Sequence, residues 1–448
     1  MYTEAEERIL EQAERQSFCI SSTLLLTAFS TVFFPRILDS LGAPSAINFV
    51  HFAVVPITSA FVILQSKSRD RAQLRITKTL LSWLFAFLCV EMISAVLNHA
   101  GIINVVLDFL LLCEPLIFLM AIASLPLSQK SVSTFRFWFI IFYFFHIAAA
   151  LFQRLVLRLH FNRGLADNIQ GVFYRSGSGH VVGASVAISF GLYFFLTAIT
   201  RPLWQRFIVL FACLFSVIAA DAKQVILVCL LGFAVLSLTK VGDIQKIVLY
   251  SILSTLLIIV SYWAIYQFDF LRPFRTWMDI ELYGPDGDAT QLKFKSIEII
   301  YSHYQTGLEW FFGLGPGHTT DRLGGWMLRD YSGLLSPFGA TTTTIGKETW
   351  QAVTESWLGD RSSFFSPFWG WAALWGDLGF IGLGTYLFLW AIVWKHLCAD
   401  DFSKFLVITV FLHGLIFTQL EEPGYMLSIT ALIGLRWQEE NNHTSHQR

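Results

Sequence analysis

Charge is scarce in this chain. Only 14% of its 448 residues are Asp, Glu, Lys or Arg, and the formal net charge is -1. That balance offers no basic surface on which a nucleic acid would settle. Cysteine is scarce as well: Cys19, Cys89, Cys113, Cys213, Cys229 and Cys398 all lie in or beside apolar runs. Their spacing excludes a disulfide framework and a zinc motif. No glycine-rich stretch has Walker spacing, tandem repeats are missing, and no tract is of low complexity. The first apolar run has no basic stretch before it; it follows an acidic head of Glu4, Glu6, Glu7, Glu11 and Glu14. It therefore reads as a retained helix and not as a cleaved signal.

Apolar residues fill the space that charge leaves. They make up 55% of the chain, with 43 Phe and 15 Trp, and mean hydropathy is +0.58. A water-soluble fold cannot bury that much apolar surface, so a bilayer must solvate most of it. The fold class is accordingly an all-α polytopic membrane protein of about twelve transmembrane helices. Their expected positions are 17–38, 47–65, 79–97, 102–124, 137–152, 181–200, 207–221, 224–239, 247–267, 378–394, 405–420 and 424–436. An even number puts both termini on one side. One set of short connections carries 13 Lys and Arg: Lys67, Arg69, Arg71, Arg75, Lys78, Lys130, Arg136, Arg201, Arg206, Lys240, Lys246, Lys395 and Lys404. The opposite set carries only Arg36 and Lys223. By the positive-inside rule the termini are expected in the cytoplasm.

Three regions follow: a membrane domain over 1–267, a large outward loop over 268–368 between the ninth and tenth spans, and a membrane domain with a cytoplasmic tail over 369–448. The loop carries Trp277, Tyr283, Trp310, Trp326, Tyr331, Trp350 and Trp357, too many aromatics for a disordered tract, so it reads as a folded cap over a site. Outward cations include Arg154, Arg158, Arg163, Arg175, Lys223, Arg272, Arg275, Lys293, Lys295, Arg322 and Arg329. Lys223 follows Asp221 in the tight connection of two short spans, and near the membrane surface it needs an anion. Gly313-Leu314-Gly315-Pro316-Gly317-His318 is a tight turn whose amides are free to approach a ligand closely; its plainer role is to end a helix. His318 is open to a structural or a catalytic role. Carboxylates able to take a proton are Glu298, Glu309, Asp321, Glu355, Asp360, Asp377, Glu421 and Glu422. Asp377 serves equally as a helix cap at the mouth of a span. Glu91, Asp108, Glu114 and His146 lie within spans, where buried hydrogen bonding competes with a proton or ion path.

With these residues in place, the chain resembles the O-antigen ligase/polymerase superfamily of bacterial inner-membrane glycosyltransferases. Twelve spans with one large outward loop match its layout. Asp221-Ala222-Lys223-Gln224 stands where the family has a Ser-Arg-Gly-type motif, and Lys293 or Lys295 precedes Gly313-Leu314-Gly315 as a basic residue precedes the family's Gly-x-Gly turn. Trp375-Gly376-Asp377-Leu378-Gly379-Phe380-Ile381-Gly382-Leu383 looks like the family's Glu-x-Gly-x-x-Gly entry into the tenth span. One departure matters: where the ligases carry a His-Asn pair, this chain has Ser366-Pro367-Phe368.

The resemblance implies a periplasmic polymerase of O-antigen or exopolysaccharide repeat units. Its donor would be a polyprenyl-diphosphate-linked glycan and its acceptor a second lipid-linked unit. No nucleotide sugar, ATP, cofactor or metal is expected. Lys223 and Lys293 or Lys295 would hold the diphosphate, with Arg272 or Arg275 beside them. Gly313, Gly315, Gly317 and His318 would meet substrate, and Asp377 would take the acceptor proton. A chain-length regulator and a flippase are the implied partners. An O-antigen ligase is the near alternative, and a transporter of lipid-linked sugar the alternative from another class; internal repeats and broken helices would mark the latter.

Overall fold

A computed structural model describes residues 20–66, 71–125, 129–159, 166–174, 178–240, 244–268, 275, 282–359 and 365–445. The acidic head, Arg163, Arg175 and Arg272 lie outside the described residues. Among those described the chain is all helix, with no strand. Seven helices are long and apolar enough to cross a membrane: Ser45–Gln65, Gln73–Leu97, Ile102–Ser124, Val132–Leu155, Gly179–Thr197, Val248–Gln267 and Gly370–His396. Three further apolar helices, Ile20–Phe33, Leu203–Ala219 and Lys223–Leu238, are shorter. The stretch expected as a span over 405–420 divides: a helix ends at Gly414 and the chain bends before Pro423 begins the next.

In chain order the principal helices are α1 (Ile20–Phe33), α2 (Pro35–Ser40), α3 (His51–Gln65), α4 (Arg71–Leu97), α5 (Ile102–Ser124), α6 (Gln129–Leu155), α7 (Gly179–Thr197), α8 (Leu203–Ala219), α9 (Lys223–Leu238) and α10 (Ile244–Gln267). The polar segment forms α11 (Asp288–His303), α12 (Gly307–Phe312) and α13 (Ile345–Glu355). The chain then closes with α14 (Gly370–His396), α15 (Asp401–Gly414) and α16 (Pro423–Ser445). Helices suit these runs because hydrocarbon offers no partner to a backbone amide, so each must bond within its own segment.

α5 and α16 form the centre. α5 packs against α3, α4 and α16, while α16 also meets α7; α14 lies on α4 and α15 on α9. Aromatic rings fill the contact of α1, α6 and α7, with Phe29–Phe139 centroids at 4.6 Å and Tyr143–Phe190 at 4.8 Å. Such pairs add about 0.5–1.5 kcal/mol beyond the area they bury. The buried polar groups of α16 stay bonded: Thr430 donates to Met426 O at 2.9 Å, and Gln438 donates to Ile122 O and Leu125 O. α10 is the opposite case. Val248, Leu249, Ile252, Leu253, Leu256, Ile259 and Trp263 are all exposed, an apolar face that only lipid would solvate.

The polar segment is folded. Leu282, Ala289, Leu292, Val353, Leu358 and Phe365 make one small core, and Ile299, Ile300, Leu314 and Ile345 another. A third cluster joins Leu323, Met327, Leu328 and Leu335 to Leu107 and Leu111 of α5. That contact seats the segment on the mouth of the helical bundle.

Candidate functional site

α14 is broken at its mouth. Gly379 has φ +63° and ψ -166°, outside helical space, so two helical pieces meet there. A break of this kind strips carbonyls of their usual donors. The glycine turn supplies replacements: Leu314 N donates to Gly376 O at 2.8 Å and Gly315 N to Asp377 O at 3.0 Å. Gly313 and Gly379 are glycines for a reason of space as well as of φ. A Cβ on Gly313 would lie 2.2 Å from Asp377 O, and one on Gly379 would lie 2.3 Å from Phe311 C. Asn98, just past the end of α4, and Asn104 of α5 brace the same turn, Asn98 donating to Gly313 O at 3.1 Å and Asn104 to Pro316 O at 3.0 Å.

Inside this clasp sit three carboxylates. Oxygen atoms of Asp108 (α5), Asp321 (polar segment) and Asp377 (α14) all lie within 4.8 Å of one another, and all three residues are buried. Asp377 accepts from Gly317 N at 3.0 Å; Asp321 accepts from Gly324 N at 2.6 Å and Leu323 N at 3.2 Å. Asp108 Oδ2 and Asp377 Oδ1 have no hydrogen-bond partner, nor has either carboxylate oxygen of the fully buried Glu91. Burial pushes the Asp321 carboxyl up to about 6, against the pull of the two amides. Burial, then Asp321, raises Glu421 well above the usual range. Three carboxylates this close cannot all be ionised without compensation. Either they share a proton or an oxygen-seeking cation such as Mg²⁺ or Ca²⁺ joins them. Among the described residues, this is the group whose geometry suits a metal ion.

The expected cations are spread more widely. Lys293 on α11 is enclosed: Nζ donates to Ser366 O at 2.8 Å and to Ile416 O, and sits 5.7 Å from the centroid of the Phe417 ring. Burial lowers it to about 7. Ser366 thus anchors this lysine by its backbone carbonyl. Lys295 lies on the surface and pairs with Glu298 at 2.9 Å. Lys223, at the start of α9, meets Asp221 at 2.8 Å, while Asp221 itself takes φ +52°. Arg275 stacks 4.9 Å over the Tyr266 ring, and Arg272 is not described.

The amides of Leu314, Gly315 and Gly317 are spent on Gly376, Asp377 and the Asp377 carboxylate. His318 is similarly engaged. Its Nδ1 lies 2.9 Å from Leu314 O, a pure acceptor, so Nδ1 carries the proton; Nε2 then accepts from Thr341 Oγ1 at 2.8 Å. Burial lowers His318, which favours the neutral ring. The turn therefore shapes the site by holding Asp377.

Of the sequence candidates, the structure joins Asp377 to Asp321, and places Glu421 and Glu422 at Arg322. Arg322 N donates to Glu421, and the Arg322 guanidinium pairs with Glu422. Asp108 and Glu91 were legible only as carboxylates inside apolar runs, a pattern that marks function more often than chance. No family model matches the chain, and a search of curated proteins finds no match.

Proposed function

We propose that the chain is a glycosyltransferase of the cytoplasmic membrane, related to the O-antigen polymerases, that joins polyprenyl-diphosphate-linked repeat units on the outward face. The observation that supports this reading best is the polar segment docked over the buried Asp108, Asp321 and Asp377. An acceptor hydroxyl would attack the anomeric carbon, the bond from that carbon to the phosphate oxygen would break, and the diphosphate would leave with the electron pair. The hydroxyl proton would pass to Asp377 or Asp321, either of which works as base only when ionised. Among the described residues no nucleophile is marked for a covalent intermediate, so one displacement should invert the centre. Lys293, held by Ser366 O and Ile416 O, is the cation this reading assigns to the leaving group.

In this reading twelve spans cross the membrane, the termini are cytoplasmic, and 268–368 is periplasmic. Reporter fusions at Gly317 and Arg175 should report the periplasm, and those at Arg71 and Lys404 the cytoplasm. A cytoplasmic signal at Gly317 would remove the basis of the mechanism. A deletion strain should keep single repeat units on their carrier or final acceptor while long chains vanish. Long lipid-linked chains left intact but unattached would make the protein a ligase. Turnover in excess EDTA is expected to persist; loss restored by Mg²⁺ or Mn²⁺ would assign the carboxylates to a cation.

A second reading rests on Glu91 and Asp108, buried in α4 and α5 beside the broken α14. Buried carboxylates and discontinuous helices are also features of ion-coupled transporters. In proteoliposomes, movement of lipid-linked sugar driven by a proton or Na⁺ gradient, without chain growth, would favour transport.

A further inference from the structure

Arg36 and Arg322 face one cleft that neither the clasp nor the expected diphosphate lysines use. It lies between α2, residues 45–49, the start of α3, α5, residues 322–331 and Pro423, and its lining includes Arg36, Asn48, His51, Arg322, Trp326 and Tyr331. Its empty volume is about 250 Å³, part of it open to solvent. Arg322 is 8% exposed, its guanidinium stacks 4.8 Å over Trp326, and its Nε has no hydrogen-bond partner. Half-buried Arg36 has no carboxylate partner among the described residues.

The nearby anions already have partners, and none of them pairs with Arg36. Glu422 pairs with Arg322, Glu421 takes its backbone N–H, Glu114 holds His51 at 2.8 Å, and Asp39 accepts from Asn48 at 2.9 Å. Arg322 keeps one unpartnered N–H beside its Glu422 pair and Arg36 has no carboxylate among the described residues, so the cleft wall they line suits a further anion, and a guanidinium's planar fork matches phosphate oxygens.

We propose that this cleft binds one phosphate group, held between Arg36 and Arg322. The cleft is open on one side, so a phosphate enters from solvent and meets the two arginines at its wall. Free phosphate and a lipid-linked phosphate share that chemistry. The site stands on its own geometry and does not need the polymerase reading.

The test uses the purified full chain in phosphatidylcholine nanodiscs, with inorganic phosphate and polyprenyl phosphate as probes and microscale thermophoresis as readout. Wild type should bind a probe, and Arg36→Gln should weaken binding about tenfold or more, the usual scale for a charge-assisted contact. Arg36→Lys should recover part of the loss, and Lys347→Ala, exposed on α13, should bind as wild type. Tighter binding of polyprenyl phosphate, displaced by inorganic phosphate, identifies a lipid headgroup as the source. Equal binding of both identifies free phosphate. Arg322→Gln also breaks the Glu422 pair, so Arg36→Gln with an unchanged melting temperature is the decisive variant. Wild-type binding in Arg36→Gln, or no binding of either probe to wild type, overturns the proposal. Intact phosphate binding without chain growth would count against the polymerase reading and leave this site standing.

Discussion

Charge is handled in opposite ways at two places in this molecule. Around Arg436 every carboxylate has a cation: Asp400 at 2.7 Å, Glu439 at 2.5 Å and Glu440 at 2.7 Å, with Tyr193 donating to Glu439 at 2.9 Å. Lys240 and Tyr250 share Asp401 in the same manner. At the mouth of α14, Asp108, Asp321 and Asp377 crowd together with oxygens left unpartnered. Paired charges tie α15 and α16 together at modest cost. Unpaired carboxylates lower stability, and a fold retains them at a site where they hold or pass something. The contrast therefore marks the candidate site better than any single motif does.

Removing the carboxylates should break the comparison most sharply. Asp377→Asn and Asp321→Asn should each lower chain growth by about 10²–10⁴-fold, the range for loss of a general base, with normal membrane levels. Asp400→Asn should instead lower the melting temperature while surviving protein keeps its turnover. Chain growth in membranes, normalised to protein amount, checks both. Equal activity losses at the two places would erase the distinction.

The pH dependence of stability sharpens it next. Burial raises Asp321 from 3.8 to about 6, so the folded state prefers the neutral acid. A raised carboxyl contributes stability that is fully present below pH 3.8 and is lost as pH rises through about 6. The shift of about two units corresponds to about 3 kcal/mol at most. Wild type should thus melt lower at pH 8 than at pH 5, and Asp321→Asn should flatten that difference. Activity should move the other way, rising through about pH 6 as the base ionises. A melting temperature independent of pH in wild type would refute the shift.

The backbone clasp comes third. Gly379→Ala forces a side chain into an extended backbone conformation with positive φ that is almost confined to glycine, which costs about 1–3 kcal/mol, and drives a Cβ against the Phe311 backbone. The variant should melt lower and lose part of its activity. Gly384 has open space at its Cβ position, so Gly384→Ala on the same helix should leave both unchanged.

Much of this fold could be read from the chain because apolar runs are local signals. The seven long helices overlap expected spans, and the aromatic-rich polar segment is folded as its composition required. The site was less legible, for a physical reason. Asp108, Asp321 and Asp377 come from three distant segments, and nothing local in Leu107-Asp108-Phe109 tells which residues α5 will face. The glycine turn was readable as a turn, but its target is the broken helix at Gly376 and Asp377, a contact set by tertiary docking. Lys293 and Lys295 were indistinguishable in sequence because two positions on a helix differ only in what covers them.

That last pair gives the smallest expected effect. Lys295 is exposed and pairs with Glu298 one helical turn away, and such pairs contribute at most about 0–1 kcal/mol because water and salt screen them. Lys293 is buried, with Nζ bonded to Ser366 O and Ile416 O. Lys295→Ala should therefore leave the melting temperature and chain growth close to wild type. Lys293→Ala leaves two carbonyls without their donor and removes the cation, so it should lower both. Adding a Lys295→Ala change to Lys293→Ala should cost nothing more, because the surface residue has no access to the enclosed position. Thermal melting of the two single variants and the double variant, with chain growth measured in the same membranes, checks this. If Lys295→Ala lost activity while Lys293→Ala kept it, the surface of α11 would be the substrate-facing side, and the enclosed lysine would be a structural tie between α11 and the turn before Pro423.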